Sequence, residues 1–248
     1  MTQQSRDRST RWRQVCGVAL AAVVILMIMP TRRPVSKGDA SRERRHVVLI
    51  GASIGQAWNL SGWPDRAGVP YFTAESVAAW QFDKSDALEE TLMRPSRKFH
   101  FNRTYFASLL RARPRRPDIV ILKECSSYFP GEVDTYLQKL KVWTSQIRAK
   151  NIVPVLATVV PVTRSRSDRD AGKQVSLLEY NRQVRAYARQ EGLALLDLET
   201  AVAAQPGSFL RDDFTSGDGS HLNAQAYAAL DRSLRKKLCE MTPLATCQ

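Results

Sequence analysis

Two short stretches of this sequence hold the side chains best equipped for nucleophilic chemistry. Val47-Val48-Leu49-Ile50-Gly51-Ala52-Ser53-Ile54-Gly55 is an apolar run that breaks into small residues around one hydroxyl, and Asp218-Gly219-Ser220-His221-Leu222-Asn223 follows a glycine-bearing loop far downstream. The chain has three histidines, His46, His100 and His221. His46 sits at the charged entry to an apolar run and His100 among aromatics, so both read as structural. His221 is then the base open to a serine. An Asp three residues ahead of a His in a tight turn can accept its Nδ1–H, which fixes the tautomer and supports the imidazolium formed when Nε2 takes a proton. Ser53, His221 and Asp218 are the candidate nucleophile, general base and orienting carboxylate. The plainer alternatives are a phosphate-binding or structural turn at Ser53 and a capping Asp beside a surface His.

The elements that must position these groups follow from periodicity. Four consecutive aliphatics bounded by charge and glycine suit an interior parallel strand, His46 to Ile50, that delivers Ser53 to a tight turn. Gly51 and Gly55 are expected to let the backbone turn sharply and approach a ligand. Further strands are expected at Val69–Thr73, Asp118–Lys123, Ile152–Val160 and Leu193–Leu198. Helices are expected at Asp83–Leu92, Lys98–Arg111, Gly131–Lys150, Val175–Gly192 and Asn223–Glu240, with an arginine-bearing loop around Thr163-Arg164-Ser165-Arg166-Ser167. Strand and helix alternate, which gives a three-layer α/β/α domain with a mostly parallel, flavodoxin-like sheet and right-handed crossovers. Ligands in such a fold sit at the carboxyl ends of the strands, where Ser53 would be.

Ahead of that domain the composition changes. The first 45 residues hold ten Lys/Arg against three Asp/Glu, a net +7 of the chain's +13, and they flank an uncharged apolar segment, Val15 to Met29. Basic charge concentrated beside an apolar segment argues against a nucleic-acid role. The segment is short for a membrane span, yet snorkelling arginines and local thinning close such a gap. A cleaved signal peptide is the competing reading, but Pro30-Thr31-Arg32-Arg33-Pro34 offers no small-residue cleavage site. The expected organisation is a cytoplasmic basic tail (1–14), a transmembrane signal-anchor helix (15–30), a tether (31–45) and an exported domain (46–248). The protein would then be a single-pass inner-membrane protein with a periplasmic domain. Cys239 and Cys247 bracket a short loop and are a candidate pair in an oxidising compartment.

Three resemblances bear on these motifs. Gly51-Ala52-Ser53-Ile54-Gly55 resembles the nucleophile elbow of α/β-hydrolases, but that elbow follows several strands and takes its acid and base from separate loops. The same turn resembles that of short-chain dehydrogenases, with Glu75 at the distance of a ribose contact, although no tyrosine is followed by a lysine four residues on. The best resemblance is to the SGNH (GDSL-like) hydrolases: Gly51-Ala52-Ser53-Ile54 stands where that family has Gly-Asp-Ser-Leu, and Asp218-Gly219-Ser220-His221-Leu222 matches its last block. The resemblance implies an acyl-serine ester hydrolase or O-acyltransferase with Ser53, His221 and Asp218 in the roles above, and no metal or organic cofactor. It also implies an oxyanion hole built from the Ser53 N–H, a donor after the second strand, placed at Ala74, and one after the third, placed at Cys125. The family's glycine and asparagine are missing from those two blocks. Ester-bearing small molecules or envelope polymers are the implied substrates, and a non-catalytic glycan-binding or scaffold module is the alternative.

Overall fold

A computed structural model of the chain describes residues 44–78, 116–123 and 133–242, which fall within one compact unit, Ser41–Gln248. The expected tail, anchor and most of the tether lie outside the described residues. So do the helices expected at Asp83–Leu92 and Lys98–Arg111, together with Cys125 and Cys247. No helix among the described residues is long and apolar enough to cross a membrane. Cys239 is disulfide-bonded.

Among the described residues five strands form one sheet: β1 (Arg45–Gly51), β2 (Phe72–Ala78), β3 (Ile119–Leu122), β4 (Val153–Ala157) and β5 (Ala194–Leu196). Their order is β2-β1-β3-β4-β5 and every pairing is parallel, which is the flavodoxin-like arrangement. Side-chain alternation assigns the two faces. Val47, Leu49, Ile119, Ile121, Val155 and Ala157 enter one core, and Val48, Ile50, Val120, Leu122 and Leu156 enter the other. Burial on both faces explains why β1 and β3 read as unbroken apolar runs.

The first core is covered by α1 (Ser53–Ala57), α2 (Trp63–Arg66), α6 (Leu198–Val202) and α7 (Ala224–Met241). The second is covered by α3 (Val133–Arg148) and α5 (Ala171–Gln190). Helix α7 shows how patterning fixes the packing. Ala226, Leu230, Leu234 and Leu238 recur every four residues and all are buried. Each of the three leucines contributes roughly 1.5–3 kcal/mol by leaving water. Asn223 starts the helix by accepting the Ala226 N–H at 3.1 Å.

Two differences from the expected elements matter for the site. The arginine-bearing stretch is a short helix, α4 (Arg164–Arg169), capped by Thr163. Strand β2 begins and ends later than expected and runs through Thr73-Ala74-Glu75-Ser76. The order in which strands are added also switches sides at β1, with β2 on one side and β3 on the other. The crevice at such a switch point is where this architecture binds ligands, and Ser53 stands at its mouth.

Candidate active site

Ser53 is held in place by its neighbours. Ala52, in extended conformation, precedes the helix, and Ser53 is its first residue. Its N–H therefore belongs to the donors that a helix cannot satisfy internally. Ile54 is buried in the core beneath while Ser53 is exposed. The Ser76 hydroxyl donates to the Gly55 carbonyl at 2.8 Å and the Tyr227 hydroxyl to the Ile54 carbonyl at 3.3 Å, which tie α1 to β2 and α7. The glycines act through packing rather than turning. Neither Gly51 nor Gly55 has a positive φ. A Cβ on Gly55 would meet Leu49 Cδ2 at 2.8 Å, and one on Gly51 would meet Leu49 Cδ2 at 3.0 Å and the Lys123 carbonyl at 3.3 Å. In place of the expected turning role, both glycines lie close to the Leu49 side chain, and Gly51 close to the Lys123 backbone as well.

His221 comes from a loop held by its own hydrogen bonds. Thr215 and Leu222 form an antiparallel bridge, and the Ser216 N–H donates to the His221 carbonyl at 2.9 Å. The Thr215 hydroxyl accepts the N–H groups of Gly217 and Gly219 at 3.2 and 3.0 Å. Asn223 donates its amide to the carbonyls of Asp213 and Thr215 at 2.8 and 3.3 Å. Gly217 and Gly219 adopt φ of +110° and +76°, values that favour glycine.

Within this loop Asp218 uses both oxygens. Oδ1 accepts the backbone N–H groups of Ser220 and His221, each at 2.8 Å, and Oδ2 accepts His221 Nδ1–H at 2.5 Å. These bonds, the His221 backbone N–H foremost, then its ring and the Ser220 N–H, hold the Asp218 carboxyl well below the usual carboxylate range. With Nδ1 donating to the carboxylate, a neutral imidazole leaves Nε2 bare. That nitrogen lies 3.2 Å from Ser53 Oγ, across 168 residues of sequence. The structure thus brings Ser53, His221 and Asp218 into one hydrogen-bonded chain, a geometry able to take a proton from the hydroxyl as it attacks a carbonyl.

The oxyanion donors divide differently. Ser53 offers its N–H at the site. Ala74 does not belong there: it pairs with Val47 inside β2, is buried in the core, and lies four residues short of the strand's end at Ala78. Cys125 lies outside the described residues. Glu75 is also a strand residue, 3.2 Å from His46 Nε2, while His46 Nδ1 meets the Thr73 hydroxyl at 2.9 Å.

Solved structures share this architecture. A GDSL-like lipase from Bacteroides thetaiotaomicron superposes with a TM-score of 0.54 at 14% identity, covering 79% of this chain and 89% of that one. A lipase/acylhydrolase from Enterococcus faecalis gives 0.54 at 18% identity, covering 79% and 96%. The fold is that of the SGNH hydrolases. A carbohydrate esterase family 3 structure from Talaromyces cellulolyticus matches it too, with a TM-score of 0.53 at 14% identity over 79% and 97%. No protein-family model matches the sequence. No curated protein matches it either.

On this SGNH fold, sequence reasoning missed the contact between α4 and the Asp218–His221 loop. Thr163 N–H donates to the Gly219 carbonyl at 2.9 Å, and a Cβ on Gly219 would lie 2.5 Å from the Thr163 hydroxyl and 2.8 Å from Arg166 Cβ. The signal available was the glycine itself, the one residue between Asp218 and Ser220 that fits. The chain leading to α4 is fixed from beneath: Asn181 bonds the Val159 N–H and carbonyl at 2.7 and 2.9 Å, and Gln174 accepts the Val162 N–H at 3.1 Å.

Proposed function

We propose that the protein is a serine ester hydrolase or O-acyltransferase of the SGNH type. Ser53 Oγ attacks the ester carbonyl carbon as His221 Nε2 takes its proton, and the carbonyl electron pair moves to oxygen. Collapse of the adduct expels the alcohol, protonated by His221, and leaves an acyl-serine. Water or an acceptor hydroxyl then repeats the sequence and frees Ser53. Asp218 holds the imidazole and supports its positive charge. The observation that carries this reading is His221 poised between Asp218 Oδ2 at 2.5 Å and Ser53 Oγ at 3.2 Å.

The apolar segment 15–30 and its flanking arginines support a membrane-anchored protein with its domain exported. O-acyl groups of envelope glycans or lipids are then the substrates within reach. The lipases and the carbohydrate esterase among the structural neighbours are in keeping with such esters. Lys123-Glu124-Cys125-Ser126-Ser127 contains no asparagine, which favours a second reading, a non-catalytic module that keeps the fold to bind glycans.

Hydrolysis of 4-nitrophenyl acetate separates the two. The hydrolase reading expects turnover that Ser53→Ala and His221→Ala each abolish. A folded wild type no faster than buffer would favour the binding module. For export, a β-lactamase fused after Gln248 should protect a bacterial host from ampicillin, and a sensitive host making the intact fusion would refute the assigned orientation.

A further inference from the structure

Two arginines, Arg164 and Arg166, stand on α4 beside the Asp218–His221 loop. Arg66, Arg182 and Arg185 each face a carboxylate within 2.9 Å. Among the described residues neither Arg164 nor Arg166 forms an ion pair, and both belong to α4, the helix in contact with Gly219. Arg164 lies over the ring of Phe209, 4.4 Å from its centroid. Arg211 provides the comparison within the same molecule. It lies over Phe214 at 4.1 Å, and its Nε and terminal nitrogen donate to the two oxygens of Asp213 at 2.9 and 2.6 Å. An aromatic ring holds a guanidinium by its face and leaves the planar fork of N–H groups to take an anion end-on. In Arg211 the fork is filled by a carboxylate of the chain itself. Arg164 is exposed as well, but among the described residues no carboxylate pairs with its fork.

Arg166 adds a second donor. Its Cβ packs against Gly219, and its Nε–H is buried without an acceptor in the protein. A buried charged donor that meets no acceptor is costly unless a bound group completes it. Both arginines are thus positioned by contacts, Arg164 to the Phe209 ring and Arg166 to Gly219, and Gly219 lies two residues from His221.

We propose that Arg164 and Arg166 form an anion-binding subsite beside the Ser53–His221 pair, so that preferred substrates are esters bearing a carboxylate or phosphate within reach of α4. This rests on the ester-hydrolase reading and deepens it to a substrate class. The anion can sit on the acyl side or on the alcohol side of the ester, and matched probes distinguish them. Mono-4-nitrophenyl glutarate and 4-nitrophenyl pentanoate differ by a carboxylate on the acyl chain. 4-Acetoxybenzoate and phenyl acetate differ by one on the alcohol.

Binding of all four is measured by calorimetry on Ser53→Ala protein, where cleavage does not intervene. In at least one pair the anionic probe binds about tenfold tighter than its neutral match, the contribution of one charge-assisted hydrogen bond. Arg164→Gln brings that ratio close to one, and so does Arg166→Met, which keeps the stem packed on Gly219. Raising salt to about 1 M, where charges are screened beyond about 3 Å, shrinks it as well. Arg232→Gln, the same charge change on α7, leaves the ratio alone. Equal affinity within both pairs, no binding of either anionic probe, or a ratio that survives the Arg164→Gln/Arg166→Met double substitution overturns the subsite. The parent reading is scored separately from wild-type turnover of 4-nitrophenyl acetate: turnover without anion preference sinks the subsite alone, and anion preference without turnover sinks only the hydrolase.

Discussion

Thr163 donates its backbone N–H to the Gly219 carbonyl at 2.9 Å, so the loop that carries His221 is bonded to the chain entering α4. A methyl group on Gly219 has no room there, since Thr163 Oγ1 and Arg166 Cβ would stand 2.5 and 2.8 Å away, and the residue's φ of +76° disfavours any side chain. Gly219→Ala is expected to lower stability by about 1–3 kcal/mol and to reduce ester turnover by displacing His221. Urea denaturation and 4-nitrophenyl acetate kinetics on the same preparation check both. An unchanged midpoint with full activity would show that α4 does not restrain the loop.

Asp218→Asn separates the two jobs of this carboxylate. The amide oxygen can still accept the Ser220 and His221 N–H groups, as Oδ1 does now. The amide nitrogen cannot accept from Nδ1, so the imidazole turns its bare nitrogen away from Ser53. Turnover should fall on the order of a thousandfold or more while the fold persists. Kinetics alongside circular dichroism test this, and near-normal rates would mean that Asp218 only caps the turn.

Acid should erase part of what Asp218 contributes. Its carboxyl is held below the usual range in the folded chain, chiefly by the His221 N–H. A depressed folded-state value favours the fold above the unfolded carboxylate's pKa of about 3.9, and that contribution fades as pH falls through the lower folded value. The stability gap between wild type and Asp218→Asn should therefore be largest near neutrality and shrink below about pH 4. Denaturation midpoints of both proteins across pH give the comparison, and a gap that widens in acid would contradict the assignment.

How much of this was legible in the sequence depended on how local each determinant is. The Ser53 turn was readable because β1 is buried on both faces and then breaks at once into small residues. The Asp218–His221 pair was readable because both partners sit in one tight turn. Ala74 was misplaced because Thr73-Ala74-Glu75-Ser76 has the polar look of a loop. It is in fact part of β2, paired with β1, and its Thr73 and Glu75 bond His46 while its Ser76 bonds Gly55. Helix α4 was hidden for a related reason. Its sequence lacks apolar periodicity because none of its residues is buried, and the Thr163 cap and the Gly219 contact that hold it come from outside its own span.

A buried carboxyl group on α6 joins that helix to α5. Glu199 is fully buried and accepts from Gly207 N–H at 2.7 Å and Asn181 Nδ2 at 2.6 Å, with Arg185 at 2.9 Å. Removing a buried partner leaves uncompensated donors and charge, so Glu199→Ala should cost roughly 3–5 kcal/mol. Glu199→Gln, which keeps an acceptor, should cost less. Urea midpoints of the two variants decide it, and equal small losses would show that Arg185 is satisfied by Asp197 alone.

The central claim is that Ser53 is a nucleophile activated by His221. Intact-protein mass spectrometry after treatment with a fluorophosphonate tests it at the atom concerned. The expected result is a single phosphonyl adduct on Ser53 of the wild type, absent in Ser53→Ala and strongly slowed in His221→Ala. Folded wild-type protein that takes no adduct, or an adduct that persists in Ser53→Ala, would contradict it.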